Sequence, residues 1–276
     1  MIPAAFEYHR ASSLPEVFEL LQAHGDDAKL LAGGHSLLPL MKLRLAAPSV
    51  IVDISRLSDL AYIREEGDSV KIGALTRHHT VQHSDLLKRE VPILPYATSK
   101  VGDPQVRHRG TIGGSISHGD PASDLPAVAL ALGATFTLTG PSGSRQVPAS
   151  EFFQGFLETA LAPDEVLTEI SVPKVPSAGW SFQKFNRRAQ DWAIVGVAAV
   201  VGNGTGNGVA LVNMGPTPVR ASAVEEALAG GSSAADAAAH ASDGLDPPAD
   251  LNASPEYRRH LAEVLTRRAL TEAGAS

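Results

Sequence analysis

The sequence predicts an α+β fold, with two small α/β units followed by an antiparallel sheet and a set of helices. Three observations predict it. Up to Pro173, short β-branched runs alternate with stretches whose apolar residues fall at helical spacing. At Val172–Gly179, "VPKVPSAG" interrupts the chain with two prolines and a glycine. Beyond it, apolar strands come first and Ala-rich helical segments follow. The expected units are 1–57, 58–175 and 176–276.

Taken in order, Phe6–Arg10 reads as a short strand. "SSLPEVFELLQAHG" reads as a helix, with Ser12 or Ser13 as cap, Pro15 in the first turn and Gly25 at the end. "AKLLAG" is a strand, "LLPLMKLR" a brief helix and "SVIVDIS" a buried strand. "LAYIREEGDSVKIGALT" gives two strands turning at Gly67-Asp68, and "LLKREVPILPYATSKVG" is mostly helical. "SDLPAVALALG" is a helix opened by Ser123 or Asp124 and closed by Gly133. "ATFTLTG", "SRQVPA" and "VLTEISVP" are strands. In the last unit "WSFQKFN", "AIVGVAAVVG" and "GVALVNMG" are strands, with "GNGTGNG" a tight turn between the last two. Three helices then form a bundle: "RASAVEEALAG", "SSAADAAAHASDG" and "SPEYRRHLAEVLTRRALTEAG".

Composition excludes several classes of function. The chain has 276 residues, 43% of them hydrophobic, so a sizeable core is expected. Net charge is −7, and no Lys/Arg stripe alternates with aromatic residues, which argues against a nucleic-acid partner. With no cysteine, the chain holds no disulfide, thiolate zinc site or ordinary iron–sulfur cluster. The N-terminal stretch lacks the pattern of a signal peptide, and no apolar run approaches a membrane span. His78, His79 and His83 lie close together, but no accompanying ligand pattern points to a metal.

Two stretches stand out: "LLAGGHSLLPLMKLR" from Leu30 and "TIGGSISHGDPASDL" from Thr111. In each, adjacent glycines follow a short apolar run and precede Ser. A diphosphate needs several converging donors, and successive main-chain N–H groups in a glycine turn supply them. Two such turns in one compact unit predict a clamp closing on a pyrophosphate from two sides. The alternative is that both are turns required for close packing. Neither is a Walker A loop or a G-x-G-x-x-G fingerprint.

"LLAGGHSLLPLMKLR", "GTIGGSISHGDPASDLPAVALALGA", "QDWAIVGVAAVV" and "VNMGPTPVRASAVEEAL" together resemble the FAD-binding (medium) subunit of molybdenum hydroxylases. The resemblance is to the wider xanthine dehydrogenase family, and the chain is similar in appearance to the medium chains of aerobic carbon monoxide dehydrogenases. The resemblance implies two FAD-binding subdomains of the PCMH/vanillyl-alcohol-oxidase type, with a C-terminal unit like that of the carbon monoxide dehydrogenase flavoprotein. Carried over, Ala32, Gly33, Gly34, His35 and Ser36 would form one wall around the pyrophosphate, and Thr111, Ile112, Gly113, Gly114 and Ser115 the other.

Asp124 matches an acidic residue of the adenosine site, and is equally suited to cap a helix. Leu161 matches a flavin contact, and Lys184 a cation near the pyrimidine edge of the isoalloxazine, or else a solvated strand residue. Trp192 stands where relatives often carry tyrosine beside the flavin; its alternative is the core of the C-terminal sheet. No catalytic acid or base is implied in this chain.

The function implied is electron transfer within a heteromeric enzyme. A small subunit would carry [2Fe–2S] clusters and a large subunit the molybdenum cofactor, arranged as a dimer of heterotrimers. FAD in this chain would pass electrons to a quinone or NAD+. The location implied is the cytoplasm, with peripheral association at the inner face of the membrane. Two other readings stand beside it: a self-sufficient FAD-dependent oxidoreductase and a non-catalytic structural subunit.

Overall fold

A computed structural model describes residues 2–203 and 206–275. Strand β1 (Glu7–Arg10) leads into helix α1 (Leu14–His24), strand β2 (Ala28–Leu31), helix α2 (Leu37–Leu43) and strand β3 (Val50–Asp53). The three strands form a parallel sheet in the order β1-β3-β2. The Ser13 hydroxyl caps α1 and Gly25 ends it at φ +51°. Val17 and Leu21 of α1 pack on Val50 and Val52, the alternate residues of the central strand.

The second unit starts with the hairpin β4 (Ile63–Glu66) and β5 (Ser69–Gly73). Helices α3 (His78–His83), α4 (Asp85–Glu90), α5 (Ile93–Ser99), α6 (Pro104–Arg109), α7 (Ile112–His118) and α8 (Asp124–Ala131) follow. Strands β6 (Thr135–Gly140) and β7 (Gly143–Pro148), helix α9 (Ala149–Phe152), the small pair β8 (Phe153–Gly155) and β9 (Glu158–Thr159), and strand β10 (Val166–Pro173) complete it. Its antiparallel sheet runs β4-β5-β10-β6-β7. Alternation is clear in β6, where Phe136 and Leu138 enter the core and the threonines stay half-buried.

Four of these helices are not legible as such: α3, α6, α9 and α7. The last is a correction, because the second Gly-Gly is the first turn of a helix and not a loop. Thr111 caps it, its Oγ1 accepting from the Gly114 N–H at 3.1 Å. Glycine inside a helix costs about 1 kcal/mol relative to alanine, so propensity does not select this helix. Packing does: Gly113 lies against Ala74, where even a Cβ would come within 2.5 Å of the Ala74 Cβ.

The third unit is an antiparallel meander of β11 (Gly179–Phe185), β12 (Val195–Asn203), β13 (Gly206–Val212) and β14 (Val219–Arg220). Helices α10 (Ser222–Ala229), α11 (Ala234–Ala238) and α12 (Pro255–Glu272) follow. The turn expected over Gly202–Gly208 includes Gly204 and Thr205, which lie outside the described residues. Strand β12 is apolar on both faces because both are covered: Ala198 and Val200 join the core around α8, while Val195, Val197 and Ala199 pack with α12. Helix α8 is buried all round, Asp124 included, and serves both the second and third sheets. The C-terminal helices pack on one another, α11 against both α10 and α12, as the expected bundle, and α12 also lies on β11 and β12; α11 is only a short piece of the expected segment.

Candidate functional site

A cavity of about 680 Å³ lies among the three units. Ala32, Gly33, Gly34, His35, Ser36, Thr111, Gly113, Gly114, Ser115, Asp124, Leu161, Lys184 and Trp192 all line it. Residues separated by more than 150 positions thus meet at one site. Ile112 does not join them. Its side chain is buried in the core of the second unit.

The two glycine segments are brought together by main-chain packing. Residues 76–78 and 110–112 form an antiparallel bridge, with His78 N–H donating to the Gly110 carbonyl and Ile112 N–H to the Thr76 carbonyl, both at 3.0 Å. The first segment rests on that bridge, and a Cβ on Gly33 would fall 2.4 Å from the Arg109 carbonyl oxygen. The packing explanation therefore holds for Gly33 and Gly113, the first glycine of each pair. The second glycines behave differently. Gly34 adopts φ +78°, and a Cβ on Gly114 would meet only the Thr111 hydroxyl.

The walls differ in their free donors. No N–H from Gly33 through Leu37 reaches an acceptor among the described residues, which leaves a run of amides bordering the cavity. Such a run is a concavity suited to an anion. The second wall departs from the expected cradle, because its amides are committed inside the protein. Ile112 donates to Thr76, Gly113 to the Ala74 carbonyl, Gly114 to Thr111 Oγ1 and Ser115 to the Thr111 carbonyl. What it offers is the Ser115 hydroxyl and the space left by Gly114.

His78 stands behind Ser115 and was overlooked as a site residue in the sequence. Its Nε2 lies 3.1 Å from Ser115 Oγ, and its buried Nδ1 has no partner. Burial, helped by Arg107, His35 and Arg77, pushes its pKa down to about 4. With Nε2 protonated and donating, the Ser115 O–H is left free to point into the cavity. The available signal was its place three residues before Val81, on the buried face of α3. His79, His83 and His108 are elsewhere, in a surface stack with centroids 4.0–4.3 Å apart, and no metal-holding group of three or more occurs among the described residues.

A pH prediction follows from His78. Its native pKa lies below the usual 6.5, so between these values the unfolded chain binds a proton that the native state refuses, and acid destabilises the fold. From pH 7 to pH 5 the wild type should lose about 2 kcal/mol more than His78→Gln, measured by urea unfolding at both pH values. Equal losses would show that the imidazole is not held neutral.

Asp124 and Lys184 require a second correction. The resemblance puts them at opposite ends of a dinucleotide, yet Lys184 Nζ lies 2.7 Å from Asp124 Oδ2 and also donates to the Lys100 carbonyl at 3.1 Å. Asp124 is only 5% exposed, and burial outweighs the lysine to push its carboxyl up to about 6. Its Oδ1 is buried with no partner among the described residues, which leaves an acceptor at the cavity wall. Ser123, not Asp124, occupies the cap position of α8. Trp192 belongs to the loop between β11 and β12 and is 59% exposed, so it is not core of the sheet. Its indole is free to cover a flat ligand at the cavity.

Comparison with known proteins identifies a match over almost the entire chain. Residues 4–175 match the model of the FAD binding domain in molybdopterin dehydrogenase, and residues 180–273 that of the CO dehydrogenase flavoprotein C-terminal domain. The carbon monoxide dehydrogenase medium chain of Hydrogenophaga pseudoflava is 44% identical, covering 100% of this chain and 99% of the relative. The alpha subunit of the 6-hydroxypseudooxynicotine dehydrogenase complex of Paenarthrobacter nicotinovorans is 38% identical, with 99% and 96% covered. Among solved structures, carbon monoxide dehydrogenase from H. pseudoflava superposes with a TM-score of 0.95 at 44% identity, covering 99% of this chain and 98% of that one. Quinoline 2-oxidoreductase from Pseudomonas putida 86 gives 0.91 at 33% identity, with the same coverage.

Proposed function

Because the chain belongs to the family of FAD-binding medium subunits of molybdenum hydroxylases, we propose that it is the electron-transfer subunit of such a complex. In this reading electrons leave the [2Fe–2S] clusters of a small partner chain and reach a quinone or NAD+ by way of this one. A large partner holds the molybdenum cofactor and oxidises the substrate. The assembly is a dimer of heterotrimers in the cytoplasm, peripherally associated with the inner face of the membrane. No described helix is long and apolar enough to cross a membrane. The three units divide at 57/58 and 175/176.

The observation that supports the reading is the run of amides from Gly33 to Leu37 without acceptors among the described residues, lining one cavity together with Gly114. FAD, when bound, supplies the exchange between single-electron donors and a two-electron acceptor. The chain's own residues bind and orient it. The amides of Gly33–Ser36 would donate to the diphosphate oxygens, and Ser115, steadied by His78, would donate its O–H as well. Gly114 leaves room for the diphosphate oxygens. Lys184 would supply positive charge to the pyrimidine edge of the flavin, and the free Asp124 oxygen, paired to the same lysine through its other oxygen, would accept from a ligand N–H or hydroxyl there. Asp124 is thereby moved from the adenosine to the Lys184 end. Leu161 gives apolar contact and Trp192 covers the ring face.

Native mass spectrometry of the complex tests this directly. The expected result is this chain together with a small and a large partner, with FAD retained by this chain and no substrate oxidation by the isolated chain. Recovery of a lone, colourless chain, or substrate turnover by the lone flavoprotein, would contradict it.

A further inference from the structure

The stretch "VNMG", singled out in the sequence but given no role so far, contains a residue bonded to the main chain beside two parts of the cavity lining. Asn213 follows β13 with φ +62°, a left-handed conformation that asparagine tolerates better than most residues. Its main-chain N–H donates to the Pro121 carbonyl at 2.8 Å. Pro121 lies between His118 and Asp124, both of which line the cavity. Its side-chain Nδ2 donates to the Ala193 carbonyl, also at 2.8 Å, and Ala193 follows Trp192 directly.

The next peptide is held as well. The Ile194 N–H donates to the Phe185 carbonyl at 2.8 Å, and the Ile194 carbonyl accepts from Arg258 Nη1. Arg258 belongs to α12 and is fully buried; its Nη2 pairs with Asp250 at 2.7 Å. A buried guanidinium aimed at main-chain carbonyls is a costly feature, and here it fixes the chain immediately after an exposed tryptophan. The Trp192 indole lacks a packed setting of its own, so its placement depends on the backbone that carries it.

We propose that Asn213 is a positioning residue that sets the Trp192 ring against the flavin, with Arg258 bracing the same loop from behind. The proposal rests on the cavity being the FAD site. Order is imposed before the cofactor arrives, so the aromatic face meets the ring without the loop having to be fixed at that moment. Asn213 does not touch the cofactor and acts only through Trp192.

The test compares the FAD-loaded complex as wild type, Asn213→Gly, Trp192→Ala and the double variant. Glycine accepts φ +62° without strain and removes the side chain, carboxamide donor included. Bound-flavin fluorescence and flavin midpoint potential are read, because a merely structural role would move unfolding temperature and neither of these. Both single variants should raise emission several-fold and shift the potential in the same direction, and the double variant should match Trp192→Ala alone. Asn213→Asp keeps the backbone tolerance but has no N–H to donate, so it should behave as Asn213→Gly. It also replaces that variant if Asn213→Gly does not accumulate folded.

Asn213 variants with wild-type emission and potential beside an altered Trp192→Ala would overturn the proposal while leaving the FAD site intact. So would Trp192→Ala indistinguishable from wild type, or additive effects in the double variant. A wild-type complex without flavin in this chain would overturn the site itself.

Discussion

Gly114→Val is expected to yield a folded chain that purifies without flavin. Gly114 lies in the first turn of α7 with an ordinary helical backbone, and a Cβ there meets only the Thr111 hydroxyl, 2.8 Å away. The rest of the side chain projects into the cavity. Valine is no worse a helix former than glycine, so the local cost is confined to a disturbed Thr111 cap, about 1 kcal/mol. The cofactor loses both room and the close approach of the main chain. A fall in FAD affinity of at least about a hundredfold, on the order of 3 kcal/mol, should result. Flavin absorbance per chain, read beside circular dichroism and the urea midpoint, checks this. Gly113→Ala supplies the contrast. Its Cβ would lie 2.6 Å from the Ala74 carbonyl oxygen, so it should cost stability, about 1–3 kcal/mol, through the fold rather than through the cavity. A flavin-saturated Gly114→Val would refute the steric argument.

Lys184→Met should have the largest effect on stability. It strands Asp124 in a buried setting with its second oxygen already unpartnered. Removing one member of a buried pair costs about 3–5 kcal/mol, and protonation of the carboxylate places the result toward the lower figure. The sign with pH is distinctive. The native pKa of Asp124 lies above its unfolded value of 3.8, so its contribution is fully present below 3.8 and is lost as pH rises through the native pKa. Without Lys184 the native pKa rises further. The deficit of the variant should therefore be greatest at pH 7 and shrink steadily toward pH 4, and Asp124→Asn in the same chain should restore most of it. This slope opposes that of His78 over nearly the same range, so each is to be read against its own variant. A pH-independent deficit would mean that the pair is not the source of the loss.

The sequence carried the outline of this structure because its signals were local. The apolar alternation of β6, the Ser13 cap and Gly25 stop of α1, and the uninterrupted apolar run of β12 each follow from a few neighbouring residues. The two glycine pairs marked the site, and all but one of the fourteen residues assigned to it border the same cavity. What was not legible depended on distant contacts. Whether Thr111–Ser115 is a loop or a helix start is decided by Ala74 and Thr76, and their carbonyls take the amides expected to face a phosphate. Ile112 is claimed by the core for the same reason. Asp124 and Lys184 are 60 positions apart, and nothing near either one announces the other. In the sequence His78 is one of three neighbouring histidines, and the fold turns it alone inward.

The central claim is that the diphosphate of FAD is held by the amides of Gly33–Ser36 on one side and by Ser115 and the bare surface of Gly114 on the other. The most direct measurement is a crystal structure of the FAD-loaded protein. Diphosphate oxygens are expected within hydrogen-bonding distance of those amides and of Ser115 Oγ, with the isoalloxazine at the Lys184–Trp192 end. A diphosphate bound away from both glycine segments, or a flavin ring remote from Lys184, would contradict it.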